Sequence, residues 1–217
     1  MRISYLILFV FFLMLFNLLS QSDKNDTTYR LLNVLIEQAD SAQNQGDYVS
    51  SEKVRRQVVT IMTQAGVDPI EIARQLSNLA SVLNINNQPQ EAESLVLEAM
   101  ELLEDNPSQD RIQLAVLRGN LGEALRKQGK IDEAQVAFEE ELNLLEKENL
   151  LDTHFAASAK AGLGAIQAER GNFQEALMYY EQAIPIFLSI SNESHPVTSR
   201  YIREFEAVKN KVVANES

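Results

Sequence analysis

The sequence predicts an all-α chain in which helix-turn-helix pairs stack in order and one further helix closes the stack. Three observations carry that prediction. Four short stretches recur at a nearly fixed interval, small and large residues hold fixed offsets around each, and apolar residues follow the helical period. No run alternates with the period of two that a half-buried strand needs.

The recurring stretches are Gly46-Asp47-Tyr48-Val49-Ser50-Ser51, Asn87-Gln88-Pro89-Gln90-Glu91-Ala92, Gly129-Lys130-Ile131-Asp132-Glu133-Ala134 and Gly171-Asn172-Phe173-Gln174-Glu175-Ala176. Their starts lie 41, 42 and 42 residues apart. Seven residues before each start stand the small residues Ala39, Ala80, Gly122 and Gly164, and five after stand Ser51, Ala92, Ala134 and Ala176. Nine after, the last three repeats carry the large Val96, Phe138 and Tyr180. Small residues facing large ones at fixed offsets are what two closely packed antiparallel helices require.

In chain order, Met1-Arg2 and the apolar run Tyr5–Leu19, broken only by Asn17, precede the small-residue pattern Ser20-Gln21-Ser22 and a polar stretch. An apolar run of about 15 residues is short for a spanning helix. Residues 1–22 therefore read as a signal peptide, or as an uncleaved anchor, followed by a linker at 23–27. Export, to a periplasmic or extracellular location, follows from either reading. Helices are expected at 28–44 and 48–64, 69–85 and 89–104, 109–127 and 131–147, 154–169 and 173–190, and 197–213. Gly or Asn at each turn suits a left-handed helix end, and Pro89 falls in a first turn, where its missing N–H is harmless. The repeat units are 28–68, 69–108, 109–152 and 153–195. A capping helix occupies 196–213 and a tail 214–217. On that cap Val197, Tyr201, Ile202, Phe205, Val208 and Val212 form one apolar stripe, with Arg200, Arg203, Glu204, Lys209 and Lys211 expected to face water.

The 217 residues carry a formal charge of −12. So acidic a chain repels phosphate backbones and anionic headgroups, which argues against a nucleic-acid partner. There is no Cys, which excludes disulfides, thiolate metal sites and Cys nucleophiles. His154 and His195 fall at handovers between helix pairs without carboxylates at metal-ligand spacing. No Gly-rich phosphate loop or Gly-x-Ser-x-Gly is present. Glu139-Glu140-Glu141 are adjacent helical residues that point in different directions and make no carboxylate pair. No catalytic residue, metal or cofactor is expected, and the chain reads as a non-enzyme.

Leu121-Gly122 before a turn, Gly129 and Ile131 in it, and Ala134 and Phe138 after it resemble the tetratricopeptide repeat (TPR). The period near 42, with Asn78-Leu79-Ala80, Asn120-Leu121-Gly122 and Ser194-His195-Pro196, resembles the kinesin-light-chain variant. The first repeat departs from the pattern, with Gln38 in place of Leu and Arg55 in place of a large apolar residue. The resemblance implies a right-handed superhelical α-solenoid of about four TPR units plus the C-terminal capping helix. It also implies a protein or peptide partner held in the groove lined by the first helix of each pair. The groove candidates are Asn33, Arg74, Asn78, Ser81, Asn120, Glu123, Arg126 and Lys127. Asn78 and Asn120 match groove asparagines that grip a peptide main chain, whose donors and acceptors an amide complements; an Asn bonded to its neighbouring helix is the alternative. Arg74, Arg126 and Lys127 would make the groove mildly basic, suited to an acidic peptide. The acidic second helices form a solvated outer face or, in a second reading, dock a larger complex on a membrane-tethered rod. A membrane enters only if the N-terminal segment stays uncleaved.

Overall fold

A computed structural model describes residues 26–104 and 111–216. The predicted leader at 1–22 lies outside these residues. Among them there are nine helices and no strand: α1 over 26–44, α2 Tyr48–Ala65, α3 Pro69–Ile85, α4 Pro89–Glu104, α5 Arg111–Lys127, α6 Ile131–Lys147, α7 His154–Glu169, α8 Phe173–Ile190 and α9 Pro196–Glu216. Apart from one-residue shifts at the end of α2 and the start of α9, and the expected helix start at 109, which lies outside the described residues, two boundaries differ from the sequence reading. Residues 26 and 27, placed in a linker, are already helical, and Asp26 accepts from Arg30 one turn on at 2.5 Å. The last helix runs through the expected tail, because packing reaches as far as the buried Val212.

Each turn between paired helices closes in the same way. Gly46, Asn87, Gly129 and Gly171 all have φ between 61° and 82°. The N–H after each reaches back five residues to a carbonyl, as from Lys130 to Leu125 at 3.0 Å and Gln88 to Leu83 at 2.9 Å. Such left-handed closures satisfy the last carbonyls of the first helix and reverse the chain.

The small-against-large offsets set how closely the helices approach. Ala39, Ala80, Gly122 and Gly164 are buried opposite the side chains nine residues past each turn. A Cβ on Gly122 would stand 2.9 Å from the Phe138 ring, and one on Gly162 only 2.5 Å. The ring of α6 is thus wedged between α5 and α7, joining the third pair to the fourth. In the divergent first repeat, Arg55 is 3% exposed where the others bury Val96, Phe138 and Tyr180. Its stem fills the same volume, and its guanidinium donates to Asp40 at 2.6 Å and Gln43 at 2.9 Å.

Successive pairs are clasped along the second helices and their turns. Arg56 meets Glu91 at 2.5 Å, Lys130 meets Glu93 at 3.0 Å and Arg170 meets Asp132 at 2.6 Å. The chain is an α-solenoid whose core runs along its length in clusters shared by neighbouring pairs, as expected where no pair can bury its own apolar face. No described helix is long and apolar enough to cross a membrane.

Because the Phe138 ring fills the space that a Cβ on Gly162 would need, Gly162→Ala should destabilise the chain by about 1–3 kcal/mol, as overpacking does. An unchanged urea midpoint would contradict this packing.

Candidate functional site

The first helices α1, α3, α5 and α7 line the inner face of the solenoid. The start of α9 crosses that face: Pro196 lies 3.5 Å from where a Cβ of Gly46 would stand, and Tyr48, Ile85 and Arg203 border the space beneath. A cavity of about 270 Å³ opens here. Its walls are Gln43 from α1, Asn78, Ser81 and Asn84 from α3, Gly119, Asn120 and Glu123 from α5, His154 and Ser158 from α7, and Arg200 and Tyr201 from α9.

The eight sequence-predicted groove residues divide evenly. Asn78, Ser81, Asn120 and Glu123 line the cavity. Asn33 is exposed on α1 and Arg74 pairs with Glu71 at 3.3 Å, both away from it. Arg126 donates to Glu123 at 3.1 Å and Glu169 at 2.6 Å. The Lys127 ammonium donates to the Asn84 carbonyl at 2.6 Å, capping the end of α3, a placement a helix C-terminus favours. These cations are engaged within the fold, so the expected basic groove is instead balanced by Glu123 and Glu169.

Asn120 bonds to its neighbouring helix: its amide donates to the Ser77 carbonyl and hydroxyl, both at 3.0 Å, and its own carbonyl accepts from Asn84 at 2.9 Å. It therefore fixes α5 against α3. Arg200 and Glu204, expected to face water, turn inward. Arg200 sits 4.4 Å from the centroid of the Tyr201 ring and 3.8 Å from Glu123, and Glu204 accepts from the Tyr180 hydroxyl at 3.1 Å. Tyr201 stacks on Phe187 with centroids 4.7 Å apart.

The cavity is lined by two residues from a second helix, Phe138 and Glu141 of α6. They reach it because α5 and α7 lack side chains in their path. A Cβ on Gly119 would stand 2.4 Å from the Glu141 carboxylate. Glu141 is 3% exposed, and its Oε2 has no hydrogen-bond partner. Burial pushes its carboxyl well above the usual range, since a carboxylate without a counterion is costly away from water. Burial also lowers the imidazole of His154, favouring its neutral form. Glu141 occupies the position where adjacent repeats bury Ala99 and Ala183, and Gly119 faces it, so an acid in the apolar register opposite a glycine was the available signal. Reading the three glutamates as a run concealed it. Among the described residues no group of His, Asp or Glu is placed to hold a metal ion.

The tetratricopeptide repeat family profile matches residues 71–147 and 112–189, together more than half of the sequence. The chain belongs to the tetratricopeptide repeat family. The crystal structure of BtubC (BKLC) from P. vanneervenii is similar over 88% of this chain and 81% of that one, with a TM-score of 0.60 and 20% identity. The apo form of RapI is similar over 85% of this chain and 72% of its own, with a TM-score of 0.57 and 14% identity. Both likenesses concern the fold. No curated protein matches the sequence.

The fold holds a proton on Glu141 more tightly than the unfolded chain does. The stability attached to that proton is complete below the ordinary carboxylate range and is lost as pH rises through the raised folded value. Glu141→Gln should therefore melt about 3 °C or more above wild type at pH 8, on the usual scaling of melting temperature with stability. The gap should close toward pH 4. A pH-independent difference would show that Glu141 is not buried and uncompensated.

Proposed function

We propose that this TPR protein is an exported, non-catalytic scaffold that takes an extended segment of a partner protein into its inner groove. The observation carrying this reading is the convergence of polar side chains from α1, α3, α5 and α7 around one cavity on that face. Family membership supports a protein-interaction role, since such stacks present long concave surfaces to partners. Export is supported by the sequence Met1–Ser22, a charged start, an apolar run and small residues, whose cleaved and anchored forms both place the repeats outside the cytoplasm.

A second reading has its own observation. Glu98, Glu101 and Glu104 are exposed on α4, and none of them forms an ion pair within the described residues. An acidic outer face of that kind docks a basic complex, with the chain as a tethered rod.

Affinity capture from the native extract separates the two. Ser81→Trp, which fills the cavity wall, should abolish recovery of the partner recovered with wild type, while Glu98→Lys/Glu101→Lys/Glu104→Lys leaves recovery intact. The reverse pattern would replace the groove reading with the outer-face one. Circular dichroism checks that both variants keep wild-type helicity.

A further inference from the structure

The charges around the cavity are unequally answered. Glu123 is surrounded: Arg126 lies 3.1 Å away, Arg200 3.8 Å and Lys127 3.9 Å. Those cations are shared in turn with Glu169 and Glu204, so the charge of Glu123 is balanced within the fold. Glu141 has nothing comparable. It is buried, its Oε2 is unpartnered, and the cavity it lines has room for a ligand of several heavy atoms.

Two further atoms of the lining lack hydrogen-bond partners. Asn84 Oδ1 is a buried acceptor, and Arg200 Nε is a buried donor whose nearest carboxylate oxygen is 3.9 Å away. Buried polar atoms are nearly always satisfied, and exceptions at a ligand site are satisfied by the ligand. One acceptor and one donor match the N–H and C=O of a passing main chain. The uncharged walls of the cavity include Val116, Phe138, Phe155 and Val197.

We propose that this cavity is a lysine pocket: a lysine side chain of the partner polypeptide inserts its ammonium against Glu141 while its main chain engages Asn84 and Arg200. A lysine suits the site because its four-carbon stem lies along apolar walls while a compact ammonium reaches the acid. An arriving ammonium supplies the counterion that burial denies Glu141, and an ion pair formed away from water is strong only when both partners are then bonded. A chain passing through the groove presents such a side chain without ending there. The inference rests on the groove reading above and adds the residue that the groove selects.

Three tripeptide amides test it against the full chain by NMR titration. They are N-acetyl-Gly-Lys-Gly, the same peptide acetylated on the lysine nitrogen, and Gly-Ala-Gly with a free amino terminus. The lysine peptide should bind wild type at least about tenfold more tightly than it binds Glu141→Gln, a difference of about 1.4 kcal/mol. The acetyl-lysine peptide should show no such preference. Equal binding of the lysine peptide to both proteins, or no binding to either, would overturn the proposal. So would tighter binding of the free-terminus peptide, which would make the site an amino-terminus pocket. If Ser81→Trp still abolishes partner capture when the lysine peptide fails, the groove reading survives and the lysine pocket alone falls.

Discussion

The structure depends on the absence of side chains where helices meet. Gly122 and Gly162 leave room for the Phe138 ring between α5 and α7, and the small Ala39, Ala80 and Gly164 at the positions equivalent to Gly122 play the same part opposite Arg55, Val96 and Tyr180. Because a packed interior tolerates neither overlap nor void, these positions determine how close each helix lies to the next and hence the course of the solenoid. The clasps between Arg56 and Glu91, Lys130 and Glu93, and Arg170 and Asp132 act on the rim of an arrangement already fixed by packing. As partly exposed pairs they contribute modestly to stability.

The same device shapes the groove. Where the repeat pattern calls for a small apolar residue, α6 places Glu141, and Gly119 gives its carboxyl a path between the first helices. A second-helix side chain thereby becomes part of the inner face. Glu123 of that face pairs with Arg126, Lys127 and Arg200, and Lys127 also donates to the end of α3. The stacked pair Phe187 and Tyr201 brings the start of α9 over the groove, so the last helix both covers the apolar end of the stack and supplies part of the cavity.

Most of the fold was legible in the sequence because it is periodic. The small and large offsets, the turn residues with positive φ and the apolar stripes all derive from local geometry that repeats every 41 or 42 residues. The site was less legible because it consists of departures from the period. Asn120 matches a groove position, yet its amide holds Ser77. Arg126 and Lys127 lie on a first helix, yet partners about 43 residues away engage them. The inward turn of Arg200 follows from where α9 crosses the face, a tertiary fact that no helical wheel contains. Glu141 could have been found by asking which repeat position changes chemical type, since burial of Ala99 and Ala183 at that position implies burial of the acid.

The central claim is that the inner face, with Glu141 in its lining, meets the partner. A photo-reactive phenylalanine analogue placed at Ser81 or at Glu101, followed by irradiation in the native extract, tests it directly. The account predicts a covalent adduct of one defined partner from position 81 and none from position 101. An adduct from position 101 alone would contradict it.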